Sequence, residues 1–412
     1  MGRINIDPIN IDNDSRRADG PVMTSTDSTG TAAPQVPPGL RGVAVTSTRI
    51  GDVRGDEGFY HYGPYSAVDL ARTRTFDDVW FLFVHGRLPG AAELAEFAAT
   101  TAQRRALPDA VAAQLPAIAE ACGPDLLAGL RTALSLLGPQ HGMRPLWDDP
   151  TAGPRDAATV CAATPTVLAA LHRLRHGLDP VAPRTDLSSA ANWLWMLAGA
   201  EPAPAHVRAL DAYLVATVDH GFNASTFTAR VVASTGADVA SCVVAALGAF
   251  AGPLHGGAPD RALESLDAID RDAGGSPERW VADRLAAGMR IMGFGHAVYR
   301  GPDPRSALLR EVAAELGGPL PARAADTERR VAATLAELRP DHPLFANVEF
   351  HAGVVMESCG IPRSMFTPTF AVSRVVGWCA HVLEQAAQRR LIRPSAVYDG
   401  PPPPEPVPPR AE

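Results

Sequence analysis

The chain has 412 residues, is 46% hydrophobic and carries a net charge of −8, enough for two domains with their own cores and no global attraction to nucleic acid or an anionic membrane. All 37 of its basic residues are arginine. Without lysine there is no Schiff base, no pyridoxal phosphate attachment and no P-loop lysine, so those enzyme classes drop out.

Residues 1–36 are rich in Asp, Ser, Thr, Gly and Pro and predict a disordered tail; positions 1–22 are polar and acidic where a secretory signal needs an apolar run. Segments 43–48 and 59–62 read as short strands around a Gly/Asp-rich turn. From Thr75 onward the pattern is helical. Thr75-Phe76-Asp77-Asp78 reads as a capping-box variant opening a helix over 75–85. Further helices follow over 93–105, 109–121, 124–137, 157–175, 185–197, 206–218 and 224–234, ended by Gly or Pro. Segment 239–250 is apolar on every face, which calls for burial all round, in a domain centre or a subunit interface. It lies in the longest uncharged run, whose helical part is shorter than the ~20 residues of a membrane span. Pro259 opens a helix to about 269, Asp303-Pro304 caps and opens another, and Thr367-Pro368 begins the one that holds Arg374. The proline-rich end, 401–412, predicts an extended, solvated tail. No βαβ alternation, dinucleotide fingerprint or tandem repeat is present, so the fold class is all-α with a short N-terminal β-hairpin. The cysteines at 122, 161, 242, 359 and 379 have neither metal-ligand nor redox spacing, and predict reduced core thiols in a cytoplasmic protein.

Two histidines sit inside glycine-rich loops, His255 in Gly252-Pro253-Leu254-His255-Gly256-Gly257 and His296 in Gly293-Phe294-Gly295-His296. Glycines bracket a side chain where the backbone turns sharply or a ligand comes close. The helix after His255 points its positive end at the imidazole, which keeps the ring neutral and able to donate to a developing oxyanion; the competing reading is a turn histidine bonded to its own backbone. Arg305, second in its helix, stands where free N–H groups favour an anion, or forms a salt bridge with a surface carboxylate. Arg374 lies among Val375, Val376 and Trp378, where a guanidinium needs an anion from protein or ligand. Glu349, between Val348 and Phe350, reads as a desolvated carboxylate of raised basicity, a helix-surface acid or an ion-pair partner. His342, Glu349 and His351 match no metal-ligand spacing, and no metal is expected. His220 reads as a ligand contact or a packing histidine, while His172, His176 and His381 read as ordinary surface or packing residues. Two imidazoles, a carboxylate and several arginines together predict proton transfer beside a polyanionic substrate.

These segments resemble the citrate synthase family. The resemblance is carried by Asp219-His220-Gly221-Phe222-Asn223-Ala224-Ser225-Thr226, by both histidine loops with Ala297-Val298-Tyr299-Arg300 and Asp303-Pro304-Arg305, by Asn347-Val348-Glu349-Phe350, by Ser373-Arg374-Val375-Val376-Gly377-Trp378, and by Arg393-Pro394-Ser395. These motifs stand in family order, and the resemblance runs from about Pro38 to Gly400. Ile50-Gly51-Asp52-Val53-Arg54-Gly55 is similar to an actinobacterial branch of second citrate synthases.

The resemblance implies a homodimer of helical subunits, each with a large domain (37–259 and 356–400) and a small domain (260–355) that closes over the substrate. It implies oxaloacetate and acetyl-CoA as substrates, citrate and CoA as products, no permanently bound cofactor, and no nucleic-acid or membrane partner. Carried over by motif, Glu349 is the base, His255 stabilises the enolate and His296 polarises the oxaloacetate carbonyl. His220, Arg305 and Arg374 hold that substrate with Arg393 of the partner subunit, while Arg300, Gly293 and Gly295 contact coenzyme A. One departure is Glu349, where most of the family has aspartate: an extra methylene moves the carboxylate by roughly 1 Å, which can cost about 100-fold in rate unless the backbone retracts. That departure leaves two alternatives, a 2-methylcitrate synthase acting on propionyl-CoA and a catalytically impaired ligand-binding homologue.

Overall fold

The computed structural model describes residues 36–253, 255, 259–296, 298–341, 343–401, 403–404 and 406–408; the tail predicted at 1–36 lies almost wholly outside them. Residues 46–393 form one compact unit. The described part of a second unit, within 36–45 and 394–408, holds a 3-10 turn at Pro38–Leu40 and otherwise turns, bends and chain without regular structure.

The large unit begins with an antiparallel sheet of β1 (Gly51–Arg54), β2 (Phe59–Tyr62) and β3 (Tyr65–Ser66). The strand expected at 43–48 is absent: that segment is extended but unpaired. Strand β2 pairs instead with the nearer segment, Gly51 opposite Tyr62 and Arg54 opposite Phe59, because the tight turn at 55–58, with Gly58 at φ 61°, sets the register. Tyr60 and Tyr62 both point inward. Their hydroxyls donate to the carbonyls of Ala216 (3.1 Å), Val215 (2.9 Å) and Asp219 (3.1 Å), fastening the sheet to the segment that carries His220.

The helices run α1 (Ala67–Thr73), α2 (Phe76–His85), α3 (Ala91–Ala102), α4 (Asp109–Ala112), α5 (Leu115–Cys122), α6 (Leu126–Gln140), α7 (Gly153–Arg175) and α8 (Ser189–Ala198). Then come α9 (Pro204–Thr217), α10 (Ala224–Ala233), α11 (Val239–Phe250), α12 (Pro259–Ala273), α13 (Pro277–Ala286), α14 (Pro304–Leu316), α15 (Pro319–Leu338), α16 (Val348–Ser358) and α17 (Phe366–Gln388). The capping box of α2 forms as expected, Thr75 and Asp78 bonding reciprocally to backbone and side chain. The helix predicted over 109–121 is two, α4 and α5: Pro116 has no N–H for a carbonyl in α4, so the helix restarts with proline in its first turn. Periodicity had not delimited α13, α15 and α16.

Helix α7 is long and apolar enough to cross a membrane, but α5, α6, α8, α11 and α17 pack around it, and it serves as the axis of the core. Helix α11 is not buried all round within this chain. Val239, Cys242, Val243, Ala246 and Phe250 face inward, while Ser241 and Gly248 stay exposed. Helices α12 to α16 pack mainly on one another, and α9 touches α14, α16 and α17. Helix α9 is therefore a joint between the two sets.

Helix α17 fixes that joint by close approach. A Cβ on Gly377 would lie 2.2 Å from the Val218 carbonyl oxygen, a contact that only movement of the backbone could relieve. Gly377→Ala is predicted to destabilise the fold by about 1–3 kcal/mol, the usual cost of overpacking a closed core. A shift in urea midpoint at unchanged slope measures it; an unchanged midpoint would show that α17 does not clamp α9.

Candidate active site

A cleft of about 650 Å³ opens where the end of α9, the 220–223 loop, His255, the 295–298 loop, α14, the start of α16 and α17 converge. Its wall includes His220, His255, His296, Arg305, Glu349 and Arg374, six residues spread over more than 150 positions of sequence. The fold brings them together.

His255 follows α11, with Nε2 2.8 Å from the Ser225 hydroxyl and 3.4 Å from the Ser225 backbone N–H. An N–H can only donate, so Nε2 accepts and the ring proton belongs on Nδ1. Ser225 is itself held: its hydroxyl lies 2.8 Å from Asn223 Oδ1 and accepts from the Trp378 indole at 3.1 Å. Burial, then Arg374, lowers the His255 pKa to about 4. The neutral ring expected from sequence is present, but burial rather than a helix end is the main cause.

His296 has the opposite tautomer. Its Nδ1 accepts the backbone N–H groups of Val298 (3.0 Å) and Tyr299 (3.1 Å), which puts the proton on Nε2. Burial, reinforced by Arg305, lowers its pKa to about 4. Nε2 then faces Nη2 of Arg305 at 3.1 Å. Two N–H donors pointed at each other are relieved only by an acceptor between them, such as a carbonyl or carboxylate oxygen. His220 is a half-buried neighbour, 5.6 Å from His296 between ring centroids and 2.9 Å from the Tyr299 hydroxyl. Burial and the surrounding cations push its pKa well down.

The two arginines differ. Arg305 is the second residue of α14, and the anion at that helix end is Asp303, its N-cap. Asp303 binds Nε at 3.0 Å, Nη2 at 2.8 Å and the Arg305 backbone N–H at 3.0 Å. The salt bridge weighed from sequence thus exists, but with a buried carboxylate rather than a surface one. Burial alone would raise the Asp303 carboxyl; Arg305 overcomes that and holds it below its usual range. Arg374 is 2% exposed, anchored by one bond from Nε to the Thr217 carbonyl (3.0 Å) and stacked 4.6 Å from the Phe370 ring. It forms no ion pair with a carboxylate among the described residues. Burial lowers its pKa, and Asp219, too distant to pair with it, opposes that shift.

Glu349 is half-buried in the first turn of α16. Asn347 caps this helix by accepting the Glu349 N–H (3.1 Å) and reaches back to the Gly295 carbonyl (3.0 Å). Two backbone bonds, Gly295 N–H to Phe345 O (2.8 Å) and Asn347 N–H to Gly293 O (2.9 Å), stitch the His296 loop to the Glu349 segment. Gly293 and Gly295 have φ of 84° and 88°, which explains the glycines without invoking a ligand.

Other predicted site residues lie elsewhere. Arg300 is exposed and paired with Asp56 at 3.1 Å, and Arg393 is exposed beyond α17; neither lines the cleft. His351 turns Nε2 to Glu328 at 2.9 Å, away from any joint metal set with Glu349, and His342 and Ala297 fall outside the described residues. Sequence reasoning missed Ser225, Tyr299 and Thr217, and took Asp303 for a cap alone. Ser225 and Tyr299 stand in the very motifs that hold His220 and His296, which was the available signal. His381, read as an ordinary packing or surface residue, is buried among charged groups.

Three histidines, buried His172 and half-buried His255 and His296, have pKa values lowered to about 4, with loss of solvent the largest cause. Unfolded chain binds protons at these positions below about pH 6.5 while the folded state refuses them. Their contribution to stability is thus intact above pH 6.5 and is lost as pH falls toward about 4. Histidine NMR titration is predicted to give midpoints for His255 and His296 near 4; midpoints near 6.5 would contradict the assigned burial.

Comparison with known proteins agrees with this geometry. The family described as citrate synthase, C-terminal domain, matches residues 39–395. A Mycobacterium tuberculosis relative is 39% identical over 375 residues, 90% of this chain and 94% of its own length. Citrate synthase 2 of Bacillus subtilis is 38% identical, covering 88% of this chain and 95% of its own. Among solved structures, Thermoplasma acidophilum citrate synthase in ternary complex with carboxymethyl coenzyme A and oxaloacetate superposes with a TM-score of 0.82 at 29% identity, over 91% of this chain and 98% of that one. The chain belongs to the citrate synthase family.

Proposed function

We propose that this cleft condenses acetyl-CoA with oxaloacetate and hydrolyses the product to citrate and CoA. The observation that carries the reading is Arg374, a buried guanidinium with no carboxylate partner among the described residues, beside the facing donors of Arg305 and His296. A dicarboxylate with a central ketone supplies a carboxylate for Arg374, and its other oxygens answer the facing N–H groups of Arg305 and His296. The Thermoplasma acidophilum complex, which holds oxaloacetate and a coenzyme A derivative, supports the same substrate pair.

The chemistry follows from the tautomers. A thioester methyl is a weak acid, so its enolate must be met by a donor already in place. Neutral His255, with Nδ1–H outward and Nε2 tied to Ser225, is such a donor, and Glu349 removes the methyl proton. The carbanion attacks the ketone carbon while Nε2–H of His296 and the Arg305 guanidinium receive the developing alkoxide. His220, Arg305 and Arg374 orient the dicarboxylate, with Arg393 of a second subunit as a further clamp. Arg300 and the backbone at Gly293 and Gly295 meet coenzyme A, which requires Arg300 to leave Asp56. Every step is served by side chains, and no permanently bound cofactor is called for.

Closure of 260–355 over the substrate excludes water; the mutual packing of α12 to α16 supports its moving as a body. The exposed face of α11 at Ser241 and Gly248, on an otherwise apolar helix, supports homodimer formation. Five free cysteines suit a reducing, cytoplasmic setting.

Glu349→Gln is predicted to lower kcat by about 10²–10⁴-fold, the range for losing a general base, while oxaloacetate binding by calorimetry stays within about threefold. Wild-type turnover in that variant would remove Glu349 from the mechanism. The ratio of kcat/KM for acetyl-CoA and propionyl-CoA is predicted to favour acetyl-CoA; one methylene is worth about 1–3 kcal/mol of selectivity. A ratio favouring propionyl-CoA would make the protein a 2-methylcitrate synthase, and no thiol release with either, from protein that binds oxaloacetate, would make it a binding homologue.

A further inference from the structure

The mechanism above leaves a buried polar chain behind the cleft without a task. Arg230, on α10, is fully buried. Its Nε donates to Gln385 Oε1 (3.0 Å), and its Nη1 donates to Glu384 Oε2 (2.6 Å) and lies 2.9 Å from His381 Nδ1. On the far side of the ring, His381 Nε2 lies 3.2 Å from Asp219 Oδ1. His381 and Asp219 are 1% and 2% exposed.

Proton placement follows from these contacts. A guanidinium has no lone pair to offer, so His381 Nδ1 accepts and the ring proton sits on Nε2, directed at Asp219. Glu384 neutralises Arg230, and the imidazole is neutral. The negative charge of Asp219 is therefore not spent on Arg230, and it acts on Arg374 without direct contact.

Asp219 directly precedes His220, and the same short segment, Thr217 to His220, supplies the Thr217 carbonyl that anchors Nε of Arg374. Both groups that reach the cleft from this segment depend on where its backbone sits. Tyr62 and Gly377 hold its carbonyl side; the bond from His381 holds its one buried carboxylate.

We propose that His381 is a positioning residue for the dicarboxylate clamp: it transmits the fixed placement of Arg230 to Asp219, and so sets how His220 and Arg374 meet oxaloacetate. The proposal rests on the functional reading above. It places the effect on oxaloacetate affinity, not on proton abstraction or coenzyme A binding.

His381→Asn separates the two ends of the ring. Its short amide oxygen replaces Nδ1 as acceptor for Arg230, so no buried cation is stranded, but nothing reaches Asp219. His381→Gln, with an amide wide enough to accept from Arg230 and donate to Asp219, is the rescue. The expected result in full-length protein is a rise of about tenfold in KM for oxaloacetate for His381→Asn, from one lost bond to a charged group. KM for acetyl-CoA and kcat should change by less than about threefold, and His381→Gln should return to within about threefold of wild type. A purely structural role lowers the folded fraction, and with it apparent kcat, but leaves KM untouched. Wild-type KM for oxaloacetate in folded His381→Asn overturns the proposal while the functional reading stands. If His381→Asn does not fold, His381→Gln decides alone: a tenfold KM increase despite both bonds being available also overturns it. Wild-type protein that does not bind oxaloacetate overturns the functional reading and this proposal together.

Discussion

A guanidinium buried without a carboxylate is the constraint around which the cleft is arranged. Transfer of a charge from water to protein interior costs several kcal/mol even after relaxation, and among the described residues Arg374 has the Thr217 carbonyl, the Phe370 ring and the distant charge of Asp219 to offset it. Such a group persists because the whole of α17 is committed to holding it. Gly377, one turn on, lets the helix touch the Val218 carbonyl; Ser373 donates to the Leu214 carbonyl at 2.6 Å. The desolvation is met in the fold, so the incoming carboxylate finds an organised cation rather than having to organise one.

Asp303 makes the corresponding arrangement on the other wall. Besides Arg305 it accepts the N–H of Val348 at 3.1 Å, the first residue of α16 and the neighbour of Glu349. One carboxylate thus joins the helix that carries Arg305 to the helix that carries Glu349. Asn347 ties the same helix to the His296 loop. His296, Arg305 and Glu349 are set by a few hydrogen bonds at two helix N-termini, where unsatisfied N–H groups would otherwise need water. His255 and His296 have opposite tautomers for the same kind of reason, since each has at least one backbone N–H directed at the nitrogen that carries no proton.

Much of this was legible in sequence, unevenly. The capping box at Thr75, the helix at Val239–Phe250 and the Asp303-Pro304-Arg305 start are local signals, and they hold because local geometry decides them. The loop of His296 was legible because Gly293 and Gly295, at φ of 84° and 88°, hold a backbone that excludes most other residues. What sequence could not disclose was pairing at a distance. The strand partner of Phe59–Tyr62 was misplaced because valines and threonines at 43–48 have strand propensity without a turn to set register. The break at Pro116 was overrun because the apolar spacing continues across it. His381 sits among apolar helix residues and gives no sign of facing Arg230, which is 151 positions away. Arg305 was placed correctly on its helix, but that its neighbour Asp303 would take it up needed coordinates.

The central claim is that Arg374 is held buried for a substrate carboxylate. Calorimetric titration of oxaloacetate into wild type and Arg374→Gln tests it most directly. The account predicts a loss of affinity of about 30-fold or more in the variant, since a charge-assisted pair in a desolvated site is lost, with the folded state as stable as wild type or more so once the buried cation is gone. Undiminished affinity in a folded Arg374→Gln protein would contradict it.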